Sequence, residues 1–134
     1  MINLRAALNE AKRIANDSNS GYSMTNRLGP DYDCSSFVAH CLIVGGANIS
    51  PYMDTTNELA TLTAVGFREI PLNSAPLSGD VYFYDEGGGA NGHTFFAYDT
   101  NRYVHASSTK GHPETGDQSQ NIVDGFDYSG EICF

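Results

Sequence analysis

Three side chains in this sequence have the types that nucleophilic catalysis needs: Cys34, His93 and His105. Cys34 follows Asp33, a favourable N-cap residue, and opens a stretch in which Phe37, Val38, Cys41 and Leu42 form an apolar helical stripe. A cysteine at a helix start meets backbone N–H groups that lack partners within the helix, and it meets the positive end of the helix dipole. Both favour the thiolate, the reactive form of the side chain. The same N–H groups can hold the oxyanion of a tetrahedral intermediate. His93 opens a predicted strand directly after the glycine-rich run Glu86 to Gly92. An imidazole there can face a helix N-terminus across a cleft, take the thiol proton and return it to a leaving amine. His105 lies on the partner strand of the same predicted hairpin, where a polar side chain can fix the orientation of the first ring. Each residue also has a plainer reading, as a buried structural cysteine or an ordinary strand histidine.

The other candidates are weaker. His40 falls off the apolar stripe and reads as structural or solvated, and His112 sits in a polar segment with no role assigned. A zinc site built from His93, His105 and Cys34 or His112 would match no compact zinc motif. Asp31-Tyr32-Asp33 falls far short of a calcium-binding loop. Gly87-Gly88-Gly89 lacks the Lys-Ser/Thr that completes a phosphate-binding loop, so it reads as a rim beside His93. No metal or other cofactor is expected.

The elements that position these residues run helices first and strands second. Leu4, Ala7, Leu8, Ala11, Ile14 and Ala15 share one face of a predicted amphipathic helix, which the polar run Asn16 to Gly21 ends. The helix opening at Cys34 stops at Gly45-Gly46. Thr55-Thr56-Asn57-Glu58 has the pattern of a capping box and starts a third helix carrying Leu59, Leu62 and Val65. Val81 to Tyr84 reads as a strand, and His93 to Tyr98 with Arg102 to Ala106 as an antiparallel hairpin. Lys110 to Gln120 reads as a loop, and Ile122-Val123 and Glu131 to Phe134 as short strands. This order predicts a single α+β domain over residues 1–134, with N-terminal helices packed on a small antiparallel β-sheet.

Composition narrows the function classes. The chain has 134 residues, fifteen aromatics (seven Phe, eight Tyr) and a formal net charge of −9. Its few Lys and Arg form no cluster, which argues against nucleic acid as a partner and against adsorption to anionic surfaces. Three cysteines, an odd number, do not make a disulfide framework and suit a reducing compartment. The N-terminus MINLRAALNEAKRIA has no apolar run of the signal-peptide kind, and no stretch is long enough to insert in a membrane.

The ordered motifs Asp33-Cys34-Ser35-Ser36-Phe37, Ser78-Gly79-Asp80-Val81, Gly92-His93-Thr94 and Val104-His105-Ala106-Ser107 resemble the NlpC/P60 and CHAP cysteine peptidases. The approach Tyr22-Ser23-Met24, with Arg27, Gly29-Pro30 and Tyr32 before Asp33, resembles the phage-lysin branch of that superfamily, the bacteriophage peptidoglycan amidases. Ser36, where many bacterial members carry glycine, also fits the phage branch. The resemblance implies a papain-like α+β fold and hydrolysis of an amide bond in bacterial peptidoglycan. It implies that Cys34 is the nucleophile, His93 the base and His105 the orienting third member. Tyr22 matches a tyrosine lining the site, and Asp33 and Ser35 match positions near the substrate's amine end in endopeptidase members. The reading that follows is an endolysin-type N-acetylmuramoyl-L-alanine amidase working through a thioester. A stem-peptide endopeptidase and a non-catalytic wall-binding domain are the alternatives. Such a protein would be made in the cytoplasm and reach the cell wall after holin-type release or as a virion component. No wall-binding repeat is recognisable, so either a separate wall-binding domain or subunit supplies targeting or the enzyme works without one.

Overall fold

A computed structural model describes residues 2–15, 27–29, 31–69, 78–84, 93–97, 103–107, 112–114 and 130–133. Among these described residues three helices come first: α1 (Leu4–Ala15), α2 (Cys34–Val44) and α3 (Glu58–Ala64). Six strands follow: β1 (Arg68–Glu69), β2 (Val81–Tyr84), β3 (His93–Ala97), β4 (Tyr103–Ser107), β5 (His112–Glu114) and β6 (Gly130–Cys133). They form one sheet in the order β1-β6-β2-β3-β4-β5, antiparallel at every pairing. The fold is α+β, as the order of sequence patterns predicts.

α1 buries Ala7, Ala11 and Ile14 and keeps Lys12 and Arg13 in its last turn, where positive charge suits the C-terminal end of the helix dipole. The Asn3 side chain caps its start by accepting from the Ala6 N–H at 3.0 Å. α2 differs from the expected one-sided stripe. Cys34 through Ala39, together with Cys41 and Leu42, are all buried, so α2 is covered on nearly every side. Its sequence, CSSFVAHCLIV, holds a single strongly polar side chain beyond the first turn, His40, and such a helix is stable only inside a protein. His40 stays half-buried beside α1, with Nε2 2.6 Å from Glu10 and its ring 5.1 Å from that of Tyr32.

Strand alternation sorts the sheet. Val81, Phe96, Val104 and Ala106 join Phe37, Leu42, Ala7 and Ile14 in the main core. Tyr82 and Phe95 are direct cross-strand partners with opposite parity, and their rings stack at 5.8 Å and 18°. The core therefore lies between α1, α2 and the centre of the sheet.

Some local expectations change. α3 begins at Glu58, and Asn57 makes no side-chain cap. Asp54 organises the preceding turn instead, accepting from the Thr56 and Asn57 N–H groups at 3.0 and 3.1 Å. The capping-box pattern at Thr55 to Glu58 is thus a turn held from one residue further upstream. Leu59 is exposed, while Glu58 is fully buried beside Leu62 in the core. His112–Glu114 pairs with β4 as a strand within the segment that reads as a loop, because the edge of β4 offers unpaired backbone groups to it. Glu131 to Cys133 forms the expected strand, and Ile122-Val123 lies outside the described residues. Among the described residues no helix is long and apolar enough to cross a membrane.

Two glycines allow close approach. Gly79 has a φ of +93°, and a Cβ there would meet the Leu4 side chain at 2.9 Å. Gly45 caps α2 where α1 begins. Its carbonyl accepts from the Asn3 N–H at 2.7 Å, and a Cβ would come within 2.6 Å of the Asn3 carbonyl oxygen. The two atoms nearest such a Cβ are the backbone carbonyl oxygens of Asn3 and Leu42, which cannot rotate away. Gly45→Ala is expected to destabilise the protein by about 1–3 kcal/mol, the usual cost of overpacking, read as a lowered midpoint in chemical denaturation.

Candidate active site

The first turn of α2 is held from three directions. The Asp33 carboxylate accepts from the Ser36 N–H at 2.9 Å, and the Ser36 hydroxyl accepts from the Asp33 N–H at 3.0 Å, a reciprocal cap. Both Asp33 carboxylate oxygens also lie 3.0 Å from Arg27 Nη1. The same nitrogen reaches the Ser35 hydroxyl at 3.3 Å, while Nη2 donates to the Tyr52 and Met53 carbonyls. Arg27 thereby ties the start of α2 to the loop that leads into α3. Sequence reading placed Arg27 only within an upstream motif. Its clamp joins residues far apart in the chain, and no local pattern announces it.

Cys34 is buried, and the backbone N–H groups of Ser35 and of Thr94 lie close enough to its sulfur to favour the thiolate. Ser35 belongs to the same helix turn, as the sequence predicts. Thr94 is the second residue of β3, directly after His93. The helix that begins with Cys34 and the strand that begins with His93 therefore meet end to end. His93 pairs through its backbone with Tyr84 at the opening of the β2–β3 ladder. β4, which carries the buried His105, lies beside β3. The structure thus brings Cys34, the start of β3 and the strand of His105 into one region. Tyr22 lies outside the described residues. Asp33 and Ser35 are buried, with their side chains engaged in the cap and the Arg27 clamp.

The electrostatics reverse one expectation. A helix N-terminus should lower the thiol pKa, and the Ser35 and Thr94 N–H groups act in that direction. Burial outweighs them. Together with the nearby carboxylates of Asp33 and Glu58, it pushes the Cys34 thiol up to about 12. The resting side chain is a thiol, and reaction at this sulfur requires a base that removes the proton as the sulfur attacks.

Glu58 is the residue that sequence reading passed over. It is fully buried, and its Oε2 accepts from the Thr94 hydroxyl at 2.7 Å. Its Oε1 has no partner among the described residues. Burial raises its pKa to about 8. A signal was present: Glu58 falls one helical turn before Leu62, on the face that must be apolar.

A raised carboxyl pKa favours folding at low pH. Glu58 has an ordinary pKa of 4.5, so between that value and about 8 the folded protein holds a proton that the unfolded chain releases. Its contribution is fully present below 4.5 and is lost as pH rises through about 8. Unfolding free energies measured across this window are expected to fall with pH, by at most about 1.4 kcal/mol per unit for one proton. Glu58→Gln is expected to flatten that slope. A slope unchanged by the substitution would assign the effect elsewhere.

No curated protein matches the chain. Its sequence does match the model of a family described as bacteriophage peptidoglycan hydrolase, over residues 11–125. That match takes in α2 and its cap, α3 and the strands from β1 through β5. The chain belongs to the bacteriophage peptidoglycan hydrolase family, and its place of action is the bacterial cell wall.

Proposed function

We propose that the chain is a cysteine-dependent N-acetylmuramoyl-L-alanine amidase of endolysin type, with Cys34 as nucleophile, His93 as base and His105 as the residue that orients it. The observation that carries this reading is the Thr94 backbone beside the Cys34 sulfur, close enough to act on its charge. It sets the residue after His93 against the one thiol that opens a helix, in a member of a peptidoglycan hydrolase family.

On this reading the muramoyl carbonyl carbon enters beside Cys34 Sγ. His93 takes the thiol proton as the C–S bond forms, which the high thiol pKa makes necessary. The carbonyl oxygen becomes an oxyanion at the N-terminus of α2, where backbone N–H groups point outward from the helix. Collapse breaks the C–N bond, and His93 returns the proton to the L-alanine amine. Water, deprotonated by the same imidazole, then cleaves the thioester and frees the muramoyl carboxylate. The chemistry draws on side chains and backbone alone.

A second observation supports the amidase over the stem-peptide endopeptidase. In the endopeptidase reading, Asp33 would sit near a free substrate amine. Here both its oxygens already face the Arg27 guanidinium. An ammonium would have to displace a paired cation, whereas an acylated, uncharged nitrogen would not. Ser35 and Tyr22 complete the proposed substrate-facing set, with Asp33 shaping the site through its cap. The same reading carries the papain-like arrangement within the NlpC/P60 and CHAP superfamily.

Mass spectrometry of digested peptidoglycan tests the bond cleaved. Intact glycan strands with new L-alanine amino termini are expected, and new termini inside the stem peptide would assign the endopeptidase instead. Cys34→Ala is expected to abolish lysis of purified walls while leaving the fold intact by circular dichroism. Undiminished lysis by that variant would remove the cysteine mechanism.

A further inference from the structure

Glu58 is the one fully buried carboxyl described in the core, and the reaction outlined above gives it no part. Three elements converge on it. It opens α3, its Oε2 holds the Thr94 side chain of β3 at 2.7 Å, and its charge acts on Cys34 at the start of α2. We propose that Glu58 is a positioning residue for the reaction at Cys34: as a neutral acid it fixes Thr94, and so the start of β3, against the nucleophile, and as a carboxylate it opposes formation of the thiolate. This proposal rests on the reading of Cys34 as nucleophile.

The geometry runs through Thr94 in both directions. Its hydroxyl donates to Glu58 at 2.7 Å, and its backbone N–H lies beside the Cys34 sulfur and favours the thiolate, so one residue of β3 is tied to both groups. His93 precedes it by a single peptide unit, and any drift of Thr94 moves the strand start that bears the base. Misplacement of about 1 Å between reacting groups can cost on the order of a hundredfold in rate. Removing the acceptor that holds Thr94 therefore acts on turnover rather than on binding of the distant parts of the substrate.

The charge state matters because the surroundings are dry. Among the described residues, Glu58 faces Thr94 from β3, Cys34 from α2 and Asp54 from the turn before α3. None of these is a cation, and Asp54 opposes ionisation of Glu58, as does burial itself. Since Oε2 already accepts from Thr94, the proton of the neutral acid resides on Oε1, the oxygen without a partner among the described residues. When Glu58 ionises, that proton leaves to solvent, and a negative charge then lies beside the sulfur that must itself become negative. Two adjacent buried anions are disfavoured, so Glu58 ionisation and thiolate formation compete.

Two variants and two readouts test the proposal. Glu58→Ala removes the acceptor and is expected to lower kcat on purified walls by about tenfold or more, with KM little changed. Glu58→Gln keeps a carbonyl acceptor for Thr94 and cannot ionise. It is expected to restore most of that kcat near neutral pH and to extend activity on the alkaline side, above the value of about 8 at which Glu58 ionises. The second readout is the rate at which iodoacetamide labels Cys34, followed by peptide mass mapping across the same pH range. Labelling of Glu58→Gln is expected to match the unsubstituted protein at low pH and to exceed it several-fold above about pH 9, where thiolate reactivity is read. A pH–rate profile and a labelling profile that both superimpose on those of the unsubstituted protein would overturn the proposal. So would a folded Glu58→Gln variant as slow at neutral pH as Glu58→Ala. Cys34→Ala assayed in parallel separates the two readings. Lysis by that variant would fell the nucleophile assignment, whereas unaltered labelling in Glu58→Gln would fell the Glu58 proposal alone.

Discussion

The Asp33 carboxylate joins two structural problems in one group. A helix start leaves backbone N–H groups without partners, and α2 begins inside the protein, where water cannot satisfy them. Asp33 accepts from Ser36 and closes the reciprocal cap with it. Its charge would be costly in so dry a place, and Arg27 balances it at 3.0 Å. Arg27 in turn donates through Nη2 to the carbonyls of Tyr52 and Met53, in the loop that leads to α3. Cap, ion pair and loop therefore form a single unit around the residue that follows Asp33, which is Cys34.

The same burial that fixes Cys34 also works against its reactivity. α2 is covered on nearly all sides, so its position in the core is set by Phe37, Val38 and Leu42 packing against α1 and the sheet. A sulfur held so firmly is also poorly hydrated, and its thiol rises to about 12. Two backbone N–H groups offset part of that cost but cannot overcome it. Precision of placement and ease of ionisation are thus opposed at this sulfur. Under the proposed mechanism the opposition is resolved in time: the thiolate exists only while a base holds its proton. Glu58 shows the same physics in a carboxyl group, since burial raises its pKa to about 8 and favours the neutral acid.

Much of the framework can be read along the chain. The period of the apolar residues gives α1, the Asp33 signal and Gly45 give the two ends of α2, and the alternating segments give β2 and the β3–β4 hairpin. These elements follow from local chemistry, which is why a sequence pattern reveals them. β1 is too short to show a pattern, and β5 consists of His112–Glu114, whose residues have no strong strand preference and pair because the edge of β4 is available. α3 has a start signal that the chain uses for a turn, in which the Asp54 carboxylate accepts from the Thr56 and Asn57 N–H groups.

The sequence by itself determined which residues carry reactive groups and which elements hold them: a cysteine behind an aspartate cap, a histidine at a strand start and a second histidine on the next strand. Their order and spacing also pointed to the wall-hydrolase family to which the chain belongs. Tertiary structure decided the environment of those groups. Helix-start chemistry, a local property, favours a thiolate at Cys34, but desolvation depends on everything packed around the sulfur and prevails. Glu58 and Arg27 follow the same rule. Each acquires its role from partners distant in sequence, Thr94 for the first and the Asp33 cap with the Tyr52–Met53 backbone for the second. Propensity and capping are settled within a few residues of chain, whereas dielectric environment and long-range hydrogen bonds exist only after the chain has folded.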